Sequence, residues 1–257
     1  MMTIISLLLL ASLLPHLTFT AHVGIVNGSE AKPHSRPYMV SIQAYGQHHC
    51  GGFLISDEFV LTAAHCWKGY GIRTVVVGAH DLSNSETLKR IGVKDYFPHP
   101  NYNIRPIWND IMLLRLQEKV KISNDVKWIS LPKDGENVHE NTLCSVAGWG
   151  DLWTNGESSS RLMEANVYLM NNRECYNRWG EIYYSLSQMM CTYGHGGFCN
   201  GDSGGPLVCG DNAVGVVSFR YVALCNSPEK PNVYTKISEY LPWIRQIITN
   251  VMRLHEK

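Results

Sequence analysis

The chain has 257 residues, of which 45% are hydrophobic and 17% charged, a composition typical of a globular protein with one large core or two modest ones. Its 22 Lys and Arg residues balance 22 Asp and Glu residues, so net charge does not favour nucleic acid or an anionic membrane as a partner. Neither Cys-x-x-Cys nor His-Glu-x-x-His occurs among the eight cysteines and 11 histidines, so we expect no zinc site and no cofactor.

An uncharged, apolar run occupies residues 4–14 and ends at Pro15. It is shorter than the roughly 20 apolar residues that span a bilayer, but it fits the apolar region of a secretory signal peptide. We therefore predict a signal peptide at residues 1–20 and a secreted protein without a membrane anchor. The even number of cysteines agrees with that route, because disulfides persist in exported proteins.

Short apolar runs rich in β-branched residues recur after this segment, separated by Gly, Pro, Asn and Asp. Their lengths and regular turn signals predict the strands of an all-β sandwich or barrel. The clearest runs are residues 39–42, 59–61, 74–77, 111–114, 167–169 and 214–217. Pro, Gly and charged residues cluster at residues 130–140, where a division into two halves would fall.

One helix is predicted, at the C-terminal end of the chain. Its start signals are Ser238 and Pro242, and its apolar stripe has the spacing i, i+3, i+4, i+7 that a docked surface helix needs. The stripe consists of Ile244, Ile247, Ile248 and Val251. We expect residues 251–257 to be a tail that frays from Arg253 onward.

Three glycines surround Ser203 in the segment Gly-Asp-Ser-Gly-Gly-Pro at residues 201–206. A serine hydroxyl needs a neighbouring base to become a good nucleophile, and glycines leave backbone N–H groups bare beside the oxygen of the attacked group. The segment also matches the G-x-S-x-G elbow of α/β-hydrolases, which requires a helix after the serine and a histidine later in the chain. Here a Gly-Gly-Pro sequence follows, and the only later histidine is His255 in the predicted tail, which excludes the elbow.

The order His, Asp, Ser fits a different arrangement. His65 lies in Ala-Ala-His-Cys, and Asp110 directly precedes an apolar run. With these residues, the chain resembles the chymotrypsin-like (trypsin-fold) serine proteases over residues 25–244. Further matching motifs are Ile-Val-Asn-Gly at 25–28, Cys-Gly-Gly at 50–52, Ala-Gly-Trp-Gly at 147–150, Pro-Asn-Val-Tyr-Thr-Lys at 231–236 and Tyr-Leu-Pro-Trp-Ile at 240–244.

The resemblance implies an all-β fold of two packed six-stranded antiparallel barrels followed by a C-terminal α-helix. The protease domain would span residues 25–250, with one barrel in about 25–130 and the other in about 131–240. Its implied function is a serine endopeptidase acting on proteins or peptides. The competing class is a catalytically silent homologue that acts as a binding or effector protein, but such relatives typically lose the triad His or Ser, and this chain retains both.

The resemblance also assigns the catalytic roles. Ser203 would attack the carbonyl carbon, His65 would accept and return the proton, and Asp110 would hold the imidazole in the correct tautomer. The backbone N–H groups of Gly201 and Ser203 would form the oxyanion hole.

Activation is implied by Asp202, which in this family pairs with the ammonium group of a new N-terminus, here Ile25. Residues 21–24 would then be a propeptide, and they contain no Lys or Arg for a trypsin-like activator to cleave after. Removal in dipeptide steps is compatible with this segment and is typical of granule-stored leukocyte proteases. Residues 30–39 likewise resemble the granzyme and mast-cell protease branch, which implies secretory granules or the extracellular space, an activating peptidase and serpin-type inhibitors.

The family pattern further implies four disulfides, of which that branch usually lacks the last. They are Cys50–Cys66, Cys144–Cys209, Cys175–Cys191 and Cys199–Cys225. Ala79 stands where the first carboxylate of a calcium loop is expected, so we predict no metal. Asn27-Gly28-Ser29 is a glycosylation sequon.

The resemblance places Gly197 at the floor of the primary substrate pocket, Phe198 on its wall, Ser218 at its back, and Arg220 and Asn232 along its sides. A glycine floor has no carboxylate, so cleavage after Lys or Arg is not expected. Arg220 would narrow the pocket for small residues, pair with an acidic residue or swing into solvent. Preferences for small or apolar, acidic and aromatic residues therefore all stay open.

Overall fold

The computed structural model describes residues 25–67, 71–84 and 86–255. The predicted signal peptide at 1–20 and the predicted propeptide at 21–24 lie outside these residues. In chain order the strands are β1 Ser29–Glu30, β2 Met39–Ala44, β3 Gln47–Leu54, β4 Phe59–Thr62, β5 Ile72–Val77, β6 Lys89–Pro98, β7 Asn103–Ile104, β8 Ile107–Trp108, β9 Met112–Leu116, β10 Leu143–Gly148, β11 Met163–Leu169, β12 Met189–Tyr193, β13 Pro206–Cys209, β14 Asn212–Phe219 and β15 Asn232–Lys236.

The first barrel is a closed antiparallel sheet with the strand order β2-β3-β4-β9-β6-β5. Its register sets Ser41 opposite Gly51 on one side and Val76 on the other. Strands rich in β-branched and large apolar residues suit a closed sheet, because every strand can direct side chains into the interior of the barrel. Phe53 and Leu61 are among the residues that fill it and have no exposed surface.

The second barrel has the strand order β11-β10-β13-β14-β15-β12 and closes through a pairing of β11 with β12, while β1 adds to the outer edge of β11. Val146, Leu207 and Tyr234 lie in its core. The prediction of two six-stranded barrels is therefore confirmed, and all six predicted apolar runs lie in strands, except that Ile111 directly precedes β9.

The first and last described segments each pack on the barrel that is built from the other half of the sequence. The first described residue, Ile25, is fully buried in the core of the second barrel. The C-terminal helix α2 Leu241–His255 instead buries Ile244 and Val251 against the core of the first barrel. The barrels are thus clamped together by both ends of the domain.

The predicted C-terminal helix is confirmed, and α2 continues to His255, through part of the segment that was predicted to fray from Arg253 onward. Buried Val251 anchors its last turns on the barrel. Sequence patterns also missed the short helix α1 Asn172–Trp179, which begins where the Asn171 side chain accepts a hydrogen bond from the Glu174 N–H. Neither helix of the described residues is long and apolar enough to cross a lipid bilayer.

Candidate active site

His65 lies on a short 3-10 helix, Ala64–Cys66, that follows β4 at the edge of the first barrel. The neighbouring Cys66 is joined to Cys50 of β3, which fixes this helix to the barrel. The His65 backbone N–H donates to Asp110 Oδ1 at 2.8 Å, and its ring Nδ1–H donates to Asp110 Oδ2 at 2.7 Å. Because a carboxylate can only accept there, Nδ1 carries a proton and Nε2 is the nitrogen available as a base.

Asp110 is 2% exposed and receives hydrogen bonds from both barrels. Besides the two from His65, Ser218 Oγ of β14 donates to Asp110 Oδ2 at 2.5 Å, and Thr235 Oγ1 of β15 donates to the Asp110 backbone carbonyl at 2.8 Å. Burial opposes ionisation of this carboxyl, but the coulombic attraction of His65 and the bonds from His65 and Ser218 outweigh it and hold the pKa of Asp110 below its ordinary value. Asp110 is therefore a stable anion at the junction of the barrels.

Ser203 lies on the loop between the end of β12 and β13, where the loop crosses to the first barrel. Its backbone carbonyl accepts a hydrogen bond from the Gly51 N–H at 2.8 Å, and Gly51 precedes Gly52 on β3 beside Cys50. Gly204 has a φ of +81°, and a Cβ there would overlap with Thr62 Oγ1 and the Gly51 carbonyl. Only glycine permits this close approach, which brings Ser203 to the side of the cleft that carries His65.

Gly201 has a φ of +90°, and a Cβ there would lie 2.9 Å from Gly150 Cα. Among the described residues, the N–H groups of Gly201 and Ser203 donate to no other group. The peptide of Gly201 is held from its other side, because the His48 Nε2–H donates to the Gly201 carbonyl at 3.0 Å while Ser41 Oγ donates to His48 Nδ1 at 2.8 Å. Burial lowers the pKa of His48 to about 4, so its ring is neutral.

His48 is a site residue that no sequence motif predicts. His48 lies two residues before Cys50 and outside the predicted apolar runs, and nothing in its local sequence reveals a contact with a glycine 153 residues further along the chain.

Asp202 is 1% exposed, and its carboxyl accepts two backbone hydrogen bonds. Oδ1 accepts from the Gly150 N–H at 2.8 Å and Oδ2 accepts from the Cys199 N–H at 2.9 Å. Burial raises the pKa of Asp202 to about 7 against the opposing effect of these two bonds, with a small further increase from Asp151. No cationic side chain of the described residues lies within ion-pair distance of this carboxyl.

Ile25 is fully buried in the same hydrophobic cluster as Phe198, which lies four residues before Asp202. Its neighbour Val26 accepts a hydrogen bond from the Gly197 N–H at 3.2 Å, which ties the segment after residue 24 to the segment that leads to Ser203. Because Gly24 precedes Ile25 in the uncleaved chain, the Ile25 nitrogen is part of a peptide bond and carries no charge.

The predicted pocket residues come together on the second barrel. A Cβ at Gly197 would overlap with Oδ1 of Asn232, whose Nδ2 donates to the Cys225 carbonyl at 2.8 Å, so Asn232 faces Gly197 with an acceptor oxygen. Phe198 is buried and packs edge-to-face on Tyr234 at 5.2 Å between ring centroids. The wall predicted at Phe198 is therefore also part of the barrel core.

Ser218 and Arg220 make contacts that the sequence did not predict. Ser218 was expected at the back of the pocket, and its hydroxyl is bonded to Asp110. Arg220 is half-buried and donates from Nη2 to Asn200 Oδ1 at 2.6 Å, so it is not directed freely into solvent. All eight cysteines are paired as the family pattern implies, in the disulfides Cys50–Cys66, Cys144–Cys209, Cys175–Cys191 and Cys199–Cys225.

A two-barrel β protein with a buried aspartate, a histidine and a glycine-flanked serine at the barrel junction has the architecture of chymotrypsin-like serine proteases. The family model described as trypsin matches residues 25–244. The chain therefore belongs to the trypsin family.

Curated relatives and a solved structure agree with this membership. The chain is 40% identical to granzyme B of Rattus norvegicus over 95% of this chain and 98% of that protein. It is 42% identical to mast cell protease 3 of Ovis aries over 86% of this chain and 88% of that protein. The solved structure of neuropsin, a serine protease expressed in the limbic system of mouse brain, superposes with a TM-score of 0.79 at 33% identity, covering 87% of this chain and all of that one. The resemblance to the granzyme and mast-cell protease branch is thus confirmed.

Proposed function

We propose that this protein is a secreted serine endopeptidase of non-tryptic specificity that is activated by removal of the residues before Ile25. The observation that carries the proposal is the bond of 2.7 Å from His65 Nδ1 to the buried carboxylate of Asp110. It leaves His65 Nε2 as the base, and the loop that holds Ser203 crosses to the same side of the cleft.

The reaction follows from these groups. Ser203 Oγ attacks the carbonyl carbon of the scissile bond while His65 Nε2 takes its proton, and the resulting imidazolium is stabilised by Asp110. The oxyanion accepts hydrogen bonds from the N–H groups of Gly201 and Ser203, and losing one such donor typically costs about 3 kcal/mol in the transition state. His65 then protonates the leaving amine, and water hydrolyses the acyl-enzyme by the same route.

Activation is proposed on the electrostatics of Asp202. A buried carboxyl with two backbone donors and a pKa raised to about 7 is poorly stabilised as an anion, and an ammonium group at Ile25 would supply the missing positive charge. Asp202 lies between Gly201 and Ser203, so ordering it orders both oxyanion donors. An activating peptidase is therefore a required partner, and we propose serpin-type inhibitors as further partners because they act on proteases of this kind.

Gly197 supports the non-tryptic specificity, because its position offers a cationic side chain no carboxylate. The second candidate function, a silent homologue that acts by binding, is favoured by no observation on the site, since the three residues of the triad are retained. Secretion or granule storage rests on the predicted signal peptide and on the relatives of this branch.

The test compares two proteins that differ by one residue, one beginning at Ile25 and the other at Gly24. We expect a fluorophosphonate probe to label Ser203 in the first, together with peptide hydrolysis, and both signals to be strongly reduced in the second. Ser203→Ala in the first protein is the matched control and should abolish labelling. Equal activity of the two proteins would overturn the activation scheme, and no labelling of either would support the silent homologue.

A further inference from the structure

Arg220 bridges the two segments that flank the predicted pocket. One segment leads through Asn200 to the oxyanion donor Gly201, and the other leaves β14 after Ser218. The Arg220 Nη2–H donates to Asn200 Oδ1 at 2.6 Å, and its Nη1–H groups donate to the carbonyls of Tyr221 at 2.6 Å and residue 222 at 3.0 Å. Three hydrogen bonds therefore fix the guanidinium group between these two segments, at what the family pattern predicts to be the mouth of the pocket.

This cation has no anionic partner of its own. Among the described residues, no carboxylate lies within ion-pair distance of Arg220. The carboxyl whose charge acts on Arg220 is Asp151, but its Oδ1 accepts from Ser158 Oγ at 2.8 Å and its Oδ2 accepts from Asn200 Nδ2 at 2.9 Å. The hydrogen-bonded link from Asp151 to Arg220 thus runs through the Asn200 amide, whose oxygen faces the guanidinium, and the charge of Asp151 acts on Arg220 without direct contact.

Two N–H groups of the Arg220 guanidinium remain available to bind a ligand. A guanidinium group has five N–H donors, and three are used, so Nε–H and one Nη2–H have no partner among the described residues. Burial lowers the pKa of Arg220, with Asp151 opposing, which marks a positive charge that has lost part of its hydration. A partly desolvated, fixed guanidinium is a good binding group for a carboxylate, because both the fork geometry and the charge are complementary.

We propose that Arg220 is a specificity residue that selects peptides with an Asp or Glu side chain on the acyl side of the cleaved bond. This inference rests on the proposed endopeptidase function. The carboxylate binds at the mouth of the pocket and not at its floor, because the floor presents the acceptor oxygen of Asn232 beside Gly197. A rival role for Arg220 is purely steric, in which its side chain excludes large groups whatever their charge.

The experiment uses the protein beginning at Ile25 and pairs of peptides that differ only by Asp against Asn, or Glu against Gln, at each of the three positions before the cleaved bond. In the unmodified enzyme, we expect kcat/KM to be about tenfold or more higher for the acidic member at one position, the size of one charge-assisted pair. This ratio should decrease as salt is added, since the group is only half-buried.

Arg220→Gln should bring the acidic-to-amide ratio to about one, and Arg220→Lys should retain part of it, because an ammonium keeps the charge but not the fork. The matched control is Arg245→Gln, which removes an exposed arginine of α2 that pairs with Asp134 and should leave the ratio unchanged.

A ratio near one in the unmodified enzyme would overturn the inference. So would an Arg220→Gln variant that admits larger side chains without changing the ratio, since that result would establish the steric role. In both cases Ser203 labels with the fluorophosphonate and amide peptides are cleaved, so the endopeptidase proposal survives. Absence of labelling and of all cleavage would overturn both proposals together.

Discussion

Asp110 and Asp202 are both buried carboxyls in the candidate active site, yet their surroundings shift their pKa values in opposite directions. Asp110 is in contact with the His65 ring and with the hydroxyl of Ser218, and its pKa is lowered in spite of its burial. Asp202 has only the N–H groups of Gly150 and Cys199, and burial raises its pKa to about 7.

The difference shows that backbone donors alone do not offset the desolvation of a carboxylate in this protein. At Asp110 the His65 ring and the Ser218 hydroxyl supply the additional stabilisation that Asp202 lacks. In the proposed scheme, the first site is complete in the precursor, whereas the second gains its cation only when a new N-terminus forms at Ile25.

The largest effect is expected for Asp110→Asn. The amide offers an N–H where the carboxylate accepts from His65 Nδ1, so the ring adopts the tautomer that cannot accept the proton of Ser203. We expect kcat/KM to decrease by about 10⁴-fold, the loss associated with this exchange in Ser-His-Asp proteases. The assay is peptide hydrolysis at pH 8, with near-UV circular dichroism to verify folding. A folded variant that retains more than a tenth of the activity would contradict the role given to Asp110.

The second prediction concerns the stability of the precursor with Ser203→Ala, which prevents self-cleavage. Because the pKa of Asp202 is raised from 3.8 to about 7, the folded state binds more protons than the unfolded state in this interval. The contribution of Asp202 to the free energy of unfolding should therefore decrease as pH rises from about 4 to about 7, by on the order of 4 kcal/mol in total.

His48 acts in the opposite direction, since its pKa is lowered to about 4 and its contribution rises with pH up to about 6.5. The pH dependence of the free energy of unfolding of one protein is therefore not diagnostic. A second precursor that also carries Asp202→Asn lacks only the contribution of Asp202, so the difference in free energy between the two precursors at each pH gives that contribution. Urea unfolding from pH 4 to 8 measures it. In the form that begins at Ile25, the ammonium group should reduce this difference, and equal differences in both forms would rule out the ion pair.

The contrast between the two aspartates also separates what the sequence predicts from what it does not. His65, Asp110, Ser203 and the glycines around the serine follow from short motifs in a fixed order, because the chemistry demands those residue types. The contact of His48 with Gly201 depends on how a strand of one barrel lies against a loop of the other. No local pattern encodes such a pairing.

The contacts of Ser218 and Arg220 could not be predicted for the same reason. Both residues were assigned to the pocket by resemblance alone, and their partners, Asp110 and Asn200, come from distant parts of the chain. The short helix α1 was missed for a different reason. Its eight residues, Asn172–Trp179, are mostly polar and provide only one buried side chain, Cys175, so there was no apolar stripe to recognise.

A smaller effect is expected for Ser218→Ala, which removes one of the three donors to the Asp110 carboxylate. Losing a hydrogen bond to a charged group raises the pKa of Asp110 and loosens the position of His65, so kcat/KM should fall about tenfold. The matched control is Ser227→Ala, also a buried serine, whose hydroxyl accepts from the Lys230 N–H away from the triad. Equal losses in the two variants would mean that the hydroxyl of Ser218 contributes only to folding.

The smallest effect is expected for Thr235→Val, which keeps the shape of the side chain but removes the bond from its hydroxyl to the backbone carbonyl of Asp110. The carboxylate keeps all its donors, so kcat/KM should change less than about threefold, while the free energy of unfolding falls by about 1 kcal/mol. Thr192→Val is the control, since it removes a buried bond to Tyr234 in the same barrel and should cost similar stability. If Thr235→Val alone reduced kcat/KM tenfold, the backbone of Asp110 would have to be positioned by the second barrel, and the triad would depend on the packing between the barrels as much as on its own hydrogen bonds.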